Sequence, residues 1–270
     1  MADGRPTTSE LRTTPMRILL TNDDGFSATG FTALQQIAAA LSHEVWSVAP
    51  ESDQSGTAHS LTLQQPLRRR KLADRDFAVR GTPTDCVIMA VKHLMPERPD
   101  LVLSGVNHGQ NAASDVTYSG TIAGAIEGTL LGIPSIALSL DLGGRAPSTG
   151  HWDTAVAHGP PLIKRLVAAG WPGNVLININ FPDRPPALAK PAIVTRQSIH
   201  EEGLWNIDDR TDARGQPYFW LGYEPREDAA PEGTDHWALS HGHISVTPLH
   251  LDLTHEETAR KLADVLKAGG

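Results

Sequence analysis

The chain has 270 residues, of which 40% are hydrophobic and 20% are charged, a composition typical of globular domains. Its 23 basic and 31 acidic residues give a formal net charge of −8, which argues against nonspecific binding to nucleic-acid polymers. No apolar run approaches the roughly 20 residues that a membrane span needs, so we expect no membrane association.

The cysteine content and the first residues indicate the compartment and the start of the fold. Cys86 is the only cysteine, which excludes an intramolecular disulfide and fits a reducing compartment. It lies in an apolar run, so we predict a core position. Residues 1–15 are polar and lack the apolar centre of a signal peptide. We expect a disordered tail over 1–15, a single α/β domain over 16–270, and a cytoplasmic protein.

The first predicted strand leads into an acidic turn. Residues 18–20 are three consecutive large apolar residues and indicate a short buried strand, and Asn22-Asp23-Asp24-Gly25 follows it directly. Ligands of open α/β folds bind at the carboxyl ends of the strands. Two adjacent carboxylates repel each other unless a cation lies between them. The turn therefore predicts a metal site.

The next elements form a βαβ unit, which favours a parallel sheet. An amphipathic helix is predicted over 30–41 and a strand over 45–50. Thr84 or Asp85 is expected to cap a helix that ends near residue 94. The basic run 68–71 is expected to be a solvated edge rather than an anion site. Further strands are predicted at 61–63, 77–79, 101–105, 133–140, 175–180 and 244–249, and further helices at 119–128, 152–169 and 256–266.

Residues 196–240 are expected to form an arm used for self-association. This segment alternates charged, aromatic and glycine residues and contains three of the six tryptophans; within it, residues 218–221 predict one strand of an exposed hairpin. Exposed aromatic residues on such a hairpin indicate a subunit interface. His236, His241 and His243 raise the alternative of a zinc site, but the intervening glycine and the lack of nearby cysteine favour a solvated loop.

Three loops that each follow an apolar strand are expected to meet at one rim of the sheet. Two carboxylates with neutral oxygen donors suit Mg²⁺ or Mn²⁺ better than zinc. The neutral donors keep the cation electrophilic, so that it attracts a phosphate and polarises a water. The three loops contribute, in order, Asn22, Asp23 and Asp24, then Ser55, then Asn107 and Asn111.

A helix start supplies the complementary anion site. Ser119-Gly120-Thr121 offers backbone amides, a glycine and two hydroxyls at the positive end of a helix dipole. A cation on one side and this helix on the other would clamp a phosphoryl group. Each pattern is also typical of ordinary turns and caps, and only their shared position on strand ends favours hydrolysis of a phosphate monoester. The sequence has no Walker A motif, no dinucleotide fingerprint and no Gly-x-Ser-x-Gly elbow.

The sequence also resembles the SurE family of metal-dependent 5′/3′-nucleotidases, from residue 16 onward and in order. The resemblance is carried by Asn22-Asp23-Asp24-Gly25, Ser55-Gly56, the Gly-Thr-Pro-Thr-Asp-Cys run at 81–86, the Ser-Gly-Val-Asn-His-Gly-Gln-Asn run at 104–111, Tyr118-Ser119-Gly120-Thr121 and the Ser-Val-Thr-Pro-Leu run at 245–249. It implies a Rossmann-like three-layer α/β core with a mainly parallel sheet, and a C-terminal β-hairpin arm that builds homodimers or homotetramers. Residues 1–15 have no counterpart in the family pattern.

The resemblance further implies roles for individual residues. One divalent cation per subunit would be bound by Asp23, Asp24, Ser55 and Asn107. The phosphate of the substrate, a nucleoside monophosphate, would be held by Asn111, Ser119, Gly120 and Thr121. Beside this implied set, we expect Asn22 and Gly56 to bind substrate as well, and Asp23, Asp24 and Asn111 to be the catalytic residues. Family members act as phosphoric monoester hydrolases with acid-phosphatase-like activity, and some also cleave short polyphosphate.

Three functions are compatible with these residues. The first is metal-dependent hydrolysis of nucleoside 5′- and 3′-monophosphates, with an aspartate as base or, alternatively, with direct attack by Asp23 on phosphorus. The second is a non-catalytic regulatory module that binds metal and nucleotide. The third is a metal-dependent transferase using a nucleotide-sugar donor, for which no separate acceptor domain is visible in the sequence.

Overall fold

A nine-stranded sheet forms the centre of the structure, a computed structural model that describes residues 16–199, 205–223 and 230–268. Its strands are β1 Ile18–Thr21, β2 Val45–Pro50, β3 Arg68–Lys71, β4 Asp76–Arg80, β5 Leu101–His108, β6 Ser135–Asp141, β7 Val175–Pro182, β8 Lys190–Val194 and β11 His243–His250. Across the sheet they lie in the order β3-β4-β2-β1-β5-β6-β7-β11-β8, and every neighbouring pair is parallel except β3/β4 and β7/β11. The expected mainly parallel α/β sheet is confirmed.

Helices cover both faces of this sheet. They are α1 Thr29–Ala39, α2 Pro83–Met89, α3 Gly120–Leu130, α4 Trp152–Ala169, α5 Asp235–Ser240 and α6 Glu256–Ala268. Strand β1 shows how the layers form, because its side chains alternate between the two faces. Ile18 and Leu20 pack in the cluster that contains Phe31 of α1, whereas Leu19 packs in the cluster that contains Cys86 of α2. The predicted three-layer core, and the predicted core position of Cys86, are confirmed.

Local chemistry explains where the structure differs from the sequence-based elements. Residues 61–63 do not form a strand: Leu61 and Leu63 are exposed and have no ladder partner. The cap of α2 is Thr82, not Thr84 or Asp85. Its hydroxyl accepts from the Asp85 amide at 3.2 Å, and the Asp85 carboxylate accepts from the Thr82 amide at 2.9 Å, so the two form a capping box. Strand β8 and helix α5 were not predicted.

The C-terminal hairpin was expected and is present. Strands β9 Trp205–Thr211 and β10 Pro217–Tyr223 pair antiparallel as a separate two-stranded sheet. Phe219, Trp220 and Leu221 on this hairpin are exposed. The predicted tail over residues 1–15 lies outside the described residues. No helix in the described ranges has the length and apolar character of a membrane span.

Asp183 connects the end of β7 to the segment before α4. Its carboxylate accepts from the His151 amide at 2.7 Å, contacts the His151 ring at 2.8 Å and pairs with Arg145 at 2.7 Å. Burial opposes its ionisation, but the His151 amide and ring and the Arg145 charge outweigh burial and lower the pKa of Asp183. The ionised carboxylate is therefore the form that stabilises the fold.

Asp183→Asn is expected to lower the free energy of unfolding by about 1.5–3 kcal/mol at pH 7, the range for hydrogen bonds to a charged group. A pKa depressed in the folded state adds stability above the unfolded pKa of about 4, and that stability disappears as the pH falls through the folded value. Urea unfolding of both proteins at pH 7 and below pH 4 checks this. A difference in the free energy of unfolding between the two proteins that stays constant from pH 7 to below pH 4 would show that the Asp183 charge does not contribute to stability.

Candidate active site

Asp23 is a buried carboxylate at the carboxyl end of β1. Its residue is only 4% exposed, and the preceding Asn22 is fully buried. Gly25 closes the turn at φ +96°, a conformation that favours glycine, and its carbonyl accepts from Asn22 Nδ2 at 2.9 Å. Burial and then the Asp24 charge raise the pKa of Asp23 to about 6. The turn thus holds two carboxylates in a position where they repel each other.

The start of α3 packs against Asp23. Ser119 caps the helix by accepting from the Ile122 amide at 3.0 Å. The hydroxyl and the backbone amide of Thr121 both hydrogen-bond the Asp23 carboxylate. Position 120 has no room for a side chain, because a Cβ on Gly120 would lie 2.8 Å from Asp23 Cβ and 2.9 Å from Asp23 Oδ2. The helix N-terminus therefore fixes the position of the carboxylate.

Asp24 faces the end of β5 instead. Its Oδ1 is hydrogen-bonded to Nδ1 of His108, and its Oδ2 accepts from the His108 amide at 3.2 Å. The hydrogen bond with Asp24 raises the pKa of His108. The Asp24 side chain is only 6% exposed. His108 thus orients the second carboxylate of the pair.

Ser55 and Asn107 bring neutral oxygens from the other two loops. The Ser55 amide and hydroxyl both donate to Asp53 Oδ1, at 2.8 and 2.6 Å, so the hydroxyl oxygen keeps its lone pairs for a ligand. Asn107 Nδ2 donates to the Gly109 carbonyl at 2.9 Å, which leaves the amide oxygen as the group for a cation. The Gln54 amide donates to the Asp23 carbonyl at 2.8 Å and ties the second loop to the first.

Asn111 is held rigidly by buried polar side chains of β6 and β7. Its amide donates to Asn180 Oδ1 at 2.8 Å, and its carbonyl accepts from Asn178 and Asn180 at 2.7 and 3.1 Å. Its Nδ2 donates to Ser139 Oγ at 2.9 Å and has a second hydrogen to donate. The backbone and side chain of Asn111 are therefore preorganised for a polar ligand.

These loops surround a cavity of about 490 Å³, within the usual range for small-molecule sites. Of the residues predicted from sequence, those on its wall are Asp23, Ser55, Gly56, Asn107, Asn111 and Ser119. Asp24 lies on an adjoining cavity of about 270 Å³, and His108 lines both. Asn22, Gly120 and Thr121 do not line either cavity, and their contacts are with the acidic turn.

The donor set fits a hard divalent cation. The described residues contain no group of three or more His, Cys, Asp or Glu side chains that could hold a metal, so any cation here would need neutral oxygen ligands as well. A buried acidic pair with neutral oxygens beside it is a set that Mg²⁺ or Mn²⁺ accepts. A cation would also offset the burial and the Asp24 charge, which together raise the pKa of Asp23. His241 and His243 instead bond the carbonyls of Trp237 and Pro191, at 2.8 and 3.0 Å.

Several residues of the site were not found from the sequence. His108 is the last residue of β5, and it contacts Asp24 of a distant segment only after folding. Tyr118 and Trp205 line the cavity, and they come from distant segments. A signal for Asn178 and Asn180 was available, because two amides at alternate positions of a buried strand point to one face and need polar partners.

Comparisons with known proteins identify the family of this chain. The model of the family described as survival protein SurE matches residues 18–203. The 5′-nucleotidase SurE of Parvibaculum lavamentivorans is 55% identical over 255 residues, covering 94% of this chain and 92% of the relative. The protein of the same name from Caulobacter vibrioides is 55% identical over 253 residues, covering 93% and 96%.

A solved structure extends the likeness to the fold. The crystal structure of the SurE protein from Aquifex aeolicus superposes with a TM-score of 0.79 at 38% sequence identity, covering 92% of this chain and 99% of that one. The family match spans more than half of the chain and includes the acidic turn, the capped helix start and the loop of Asn107 and Asn111. The chain therefore belongs to the SurE family.

Proposed function

We propose that this chain is a 5′-nucleotidase that hydrolyses nucleoside monophosphates to nucleoside and phosphate, with one divalent cation per subunit. The observation that carries the proposal is one cavity that joins a buried acidic turn, neutral oxygen donors and a capped helix start. The shared name 5′-nucleotidase SurE of relatives at 55% identity supports the substrate class. Nucleoside 3′-monophosphates are proposed as further substrates, because the proposed cation and hydrogen-bond donors act on the phosphoryl group, which both kinds of nucleotide carry.

The chemistry divides between the cation and the chain. When bound to Asp23, Asp24, Ser55 and Asn107, Mg²⁺ or Mn²⁺ supplies positive charge that attracts the phosphate and polarises the attacking water. Asn111 and Ser119 lie on the same wall and donate hydrogen bonds to phosphate oxygens. Gly56 leaves room beside them, since nothing lies within 4 Å of a Cβ placed there.

An aspartate of the pair accepts a proton from the attacking water. The bond from phosphorus to the nucleoside oxygen breaks as the bond to the water oxygen forms, and the departing oxygen takes up a proton to give the nucleoside. Thr121 and Gly120 hold Asp23 in place, and His108 holds Asp24, so each carboxylate has its own support. The positive end of the α3 dipole favours the negatively charged phosphate bound beside Ser119. Attack by Asp23 itself on phosphorus is the alternative route, and it would form a covalent intermediate.

Self-association is proposed for the hairpin β9–β10. Phe219, Leu221 and Trp220 are each 60% exposed or more, which is unusual for large apolar side chains clustered on one short strand. A second copy of the chain would cover them in a homodimer or homotetramer. A cytoplasmic location is proposed from the lone buried Cys86.

Removal of divalent cations is expected to lower phosphate release from AMP by at least about 100-fold, because the phosphate then meets two carboxylates without a compensating charge. The measurement is release of inorganic phosphate from AMP, GMP and a 3′-nucleotide with Mg²⁺, with Mn²⁺ and with chelator. Readdition of either cation should restore the rate. Full activity in chelator, with metal content verified by elemental analysis, would contradict the proposed metal dependence.

The same assay separates the competing functions. If the folded protein binds AMP in a metal-dependent way but releases no phosphate, it is a regulatory module. Transfer from a nucleotide-sugar donor without release from AMP would identify a transferase.

A further inference from the structure

The cavity has an aromatic wall that the phosphate chemistry does not use. Tyr118 and Trp205 both line it, and their rings meet edge to face at 5.4 Å between centroids with planes 86° apart. They remain about half exposed, at 48% and 46%, although aromatic pairs in cores are buried. In an edge-to-face pair one ring contributes only its edge to the contact, so two rings that are also about half exposed can still contact a flat ligand.

The wall stands at a fixed place relative to the phosphate site. Tyr118 directly precedes Ser119, so their Cα atoms are about 3.8 Å apart. The Tyr118 backbone is anchored on both sides: its amide donates to the Asp115 carbonyl at 3.0 Å, and its carbonyl accepts from the Ala58 amide at 3.2 Å. Trp205 reaches the same place from β9 of the hairpin. The ring pair is therefore rigidly placed next to the proposed phosphate contact.

The aromatic character of the wall indicates what it binds. A neutral planar group suits this wall, because it can stack on an aromatic ring. A nucleobase joined through ribose to the phosphate has this chemistry.

We propose that Tyr118 and Trp205 form the nucleobase site, so that the enzyme selects nucleotides over other phosphate monoesters by stacking. This inference rests on the proposed phosphatase function of the same cavity. It assigns the hairpin a part in substrate selection, since β9 brings Trp205 to the cavity. Sugar phosphates without a base would bind only through the phosphate and ribose.

The test compares AMP with ribose 5-phosphate, which shares the phosphate and sugar but has no base. Trp205→Ala is expected to lower the ratio of kcat/KM for AMP over ribose 5-phosphate roughly 10- to 100-fold, the range measured for base stacking on aromatic side chains. Trp205→Phe should recover most of the ratio because it restores a π face. Tyr118→Phe should keep the ratio, and Tyr118→Ala should lower it.

Trp220→Ala is the matched control. It removes the same side chain from the opposite face of the hairpin, because Trp205 and Tyr223 pair across the strands while Trp220 pairs with Asp208. Gel filtration of both variants reports any change in assembly. If Trp220→Ala lowers the ratio as much as Trp205→Ala, the effect comes from the hairpin as a whole and the proposed base site is wrong.

AMP binding, measured by calorimetry with Mg²⁺, keeps the inference separate from catalysis. Weaker AMP binding in Trp205→Ala supports the base site even if no phosphate is released and the proposed function fails. Unchanged AMP affinity and an unchanged substrate ratio in Trp205→Ala and Tyr118→Ala would overturn it.

Discussion

Asp23→Asn is expected to lower phosphate release at saturating AMP and Mg²⁺ by at least about 10³-fold, a loss typical of removing one essential catalytic group. Asparagine has nearly the same shape, so the Gly120 contact remains and the Thr121 hydroxyl can donate to the amide oxygen. The negative charge is lost, and with it cation binding and any proton transfer at this position. The measurement is steady-state phosphate release together with Mn²⁺ affinity.

Stability gives this prediction an independent readout. Burial and the Asp24 charge raise the pKa of Asp23 to about 6, so above pH 6 the folded protein carries an unfavourable buried charge when no metal is bound. A neutral amide removes that cost. We therefore expect the metal-free variant to melt at or above the temperature of the metal-free wild type at pH 7.5.

Asp74→Asn is the control for this experiment, since the Asp74 side chain is 99% exposed and its ion pair with Lys71 lies on the surface. It should leave phosphate release and Mn²⁺ affinity unchanged. Near-wild-type turnover in Asp23→Asn would refute the proposed role of Asp23. A variant that melts well below wild type would show instead that the carboxylate is structural.

Gly120→Ala is expected to lower phosphate release at least about 100-fold through displacement of Asp23. The added Cβ would lie 2.8 Å from Asp23 Cβ and 2.9 Å from Asp23 Oδ2, closer than real Cβ contacts. The carboxylate must then move, and a shift of about 1 Å in a catalytic group costs on the order of 10²-fold. Phosphate release and Mn²⁺ affinity should fall together, with far-UV circular dichroism unchanged.

Gly173→Ala makes the same substitution where nothing lies within 4 Å of the added Cβ. It should be silent in both assays. Helix propensity favours alanine over glycine by about 1 kcal/mol in helix interiors, so a loss of function in Gly120→Ala cannot be attributed to weaker helix formation. Wild-type activity in Gly120→Ala would show that the Asp23 position is less constrained than the packing indicates.

Most of the fold could be predicted because its signals are local. The apolar run at residues 18–20 and the amphipathic pattern after residue 30 each follow from side-chain periodicity, and the structure has β1 and α1 there. The errors occur where the signal is tertiary. Residues 61–63 are apolar at alternate positions but find no strand to pair with, while the exposed β8 forms because β11 offers it a parallel ladder.

The cap of α2 shows a finer limit. Three candidate residues, Thr82, Thr84 and Asp85, occur within four positions, and all are good capping types. Thr82 becomes the cap because Pro83 is favoured at the first helical position and Asp85 then reaches back to the Thr82 amide. All three candidate caps are visible in the sequence, but only the reciprocal hydrogen bonds in the structure identify Thr82 as the cap.

The sequence by itself determined that a carboxylate pair, neutral oxygen donors and a capped helix start follow the strands of a parallel sheet. The carboxyl ends of parallel strands lie at one edge of the sheet, so the sequence predicts that these residues are neighbours. Only the tertiary structure decided what each neighbour does. Thr121 and Gly120 fix Asp23, His108 fixes Asp24, and Trp205 joins the cavity from more than 80 residues beyond Tyr118. These contacts depend on distances between separate segments, which no local pattern encodes.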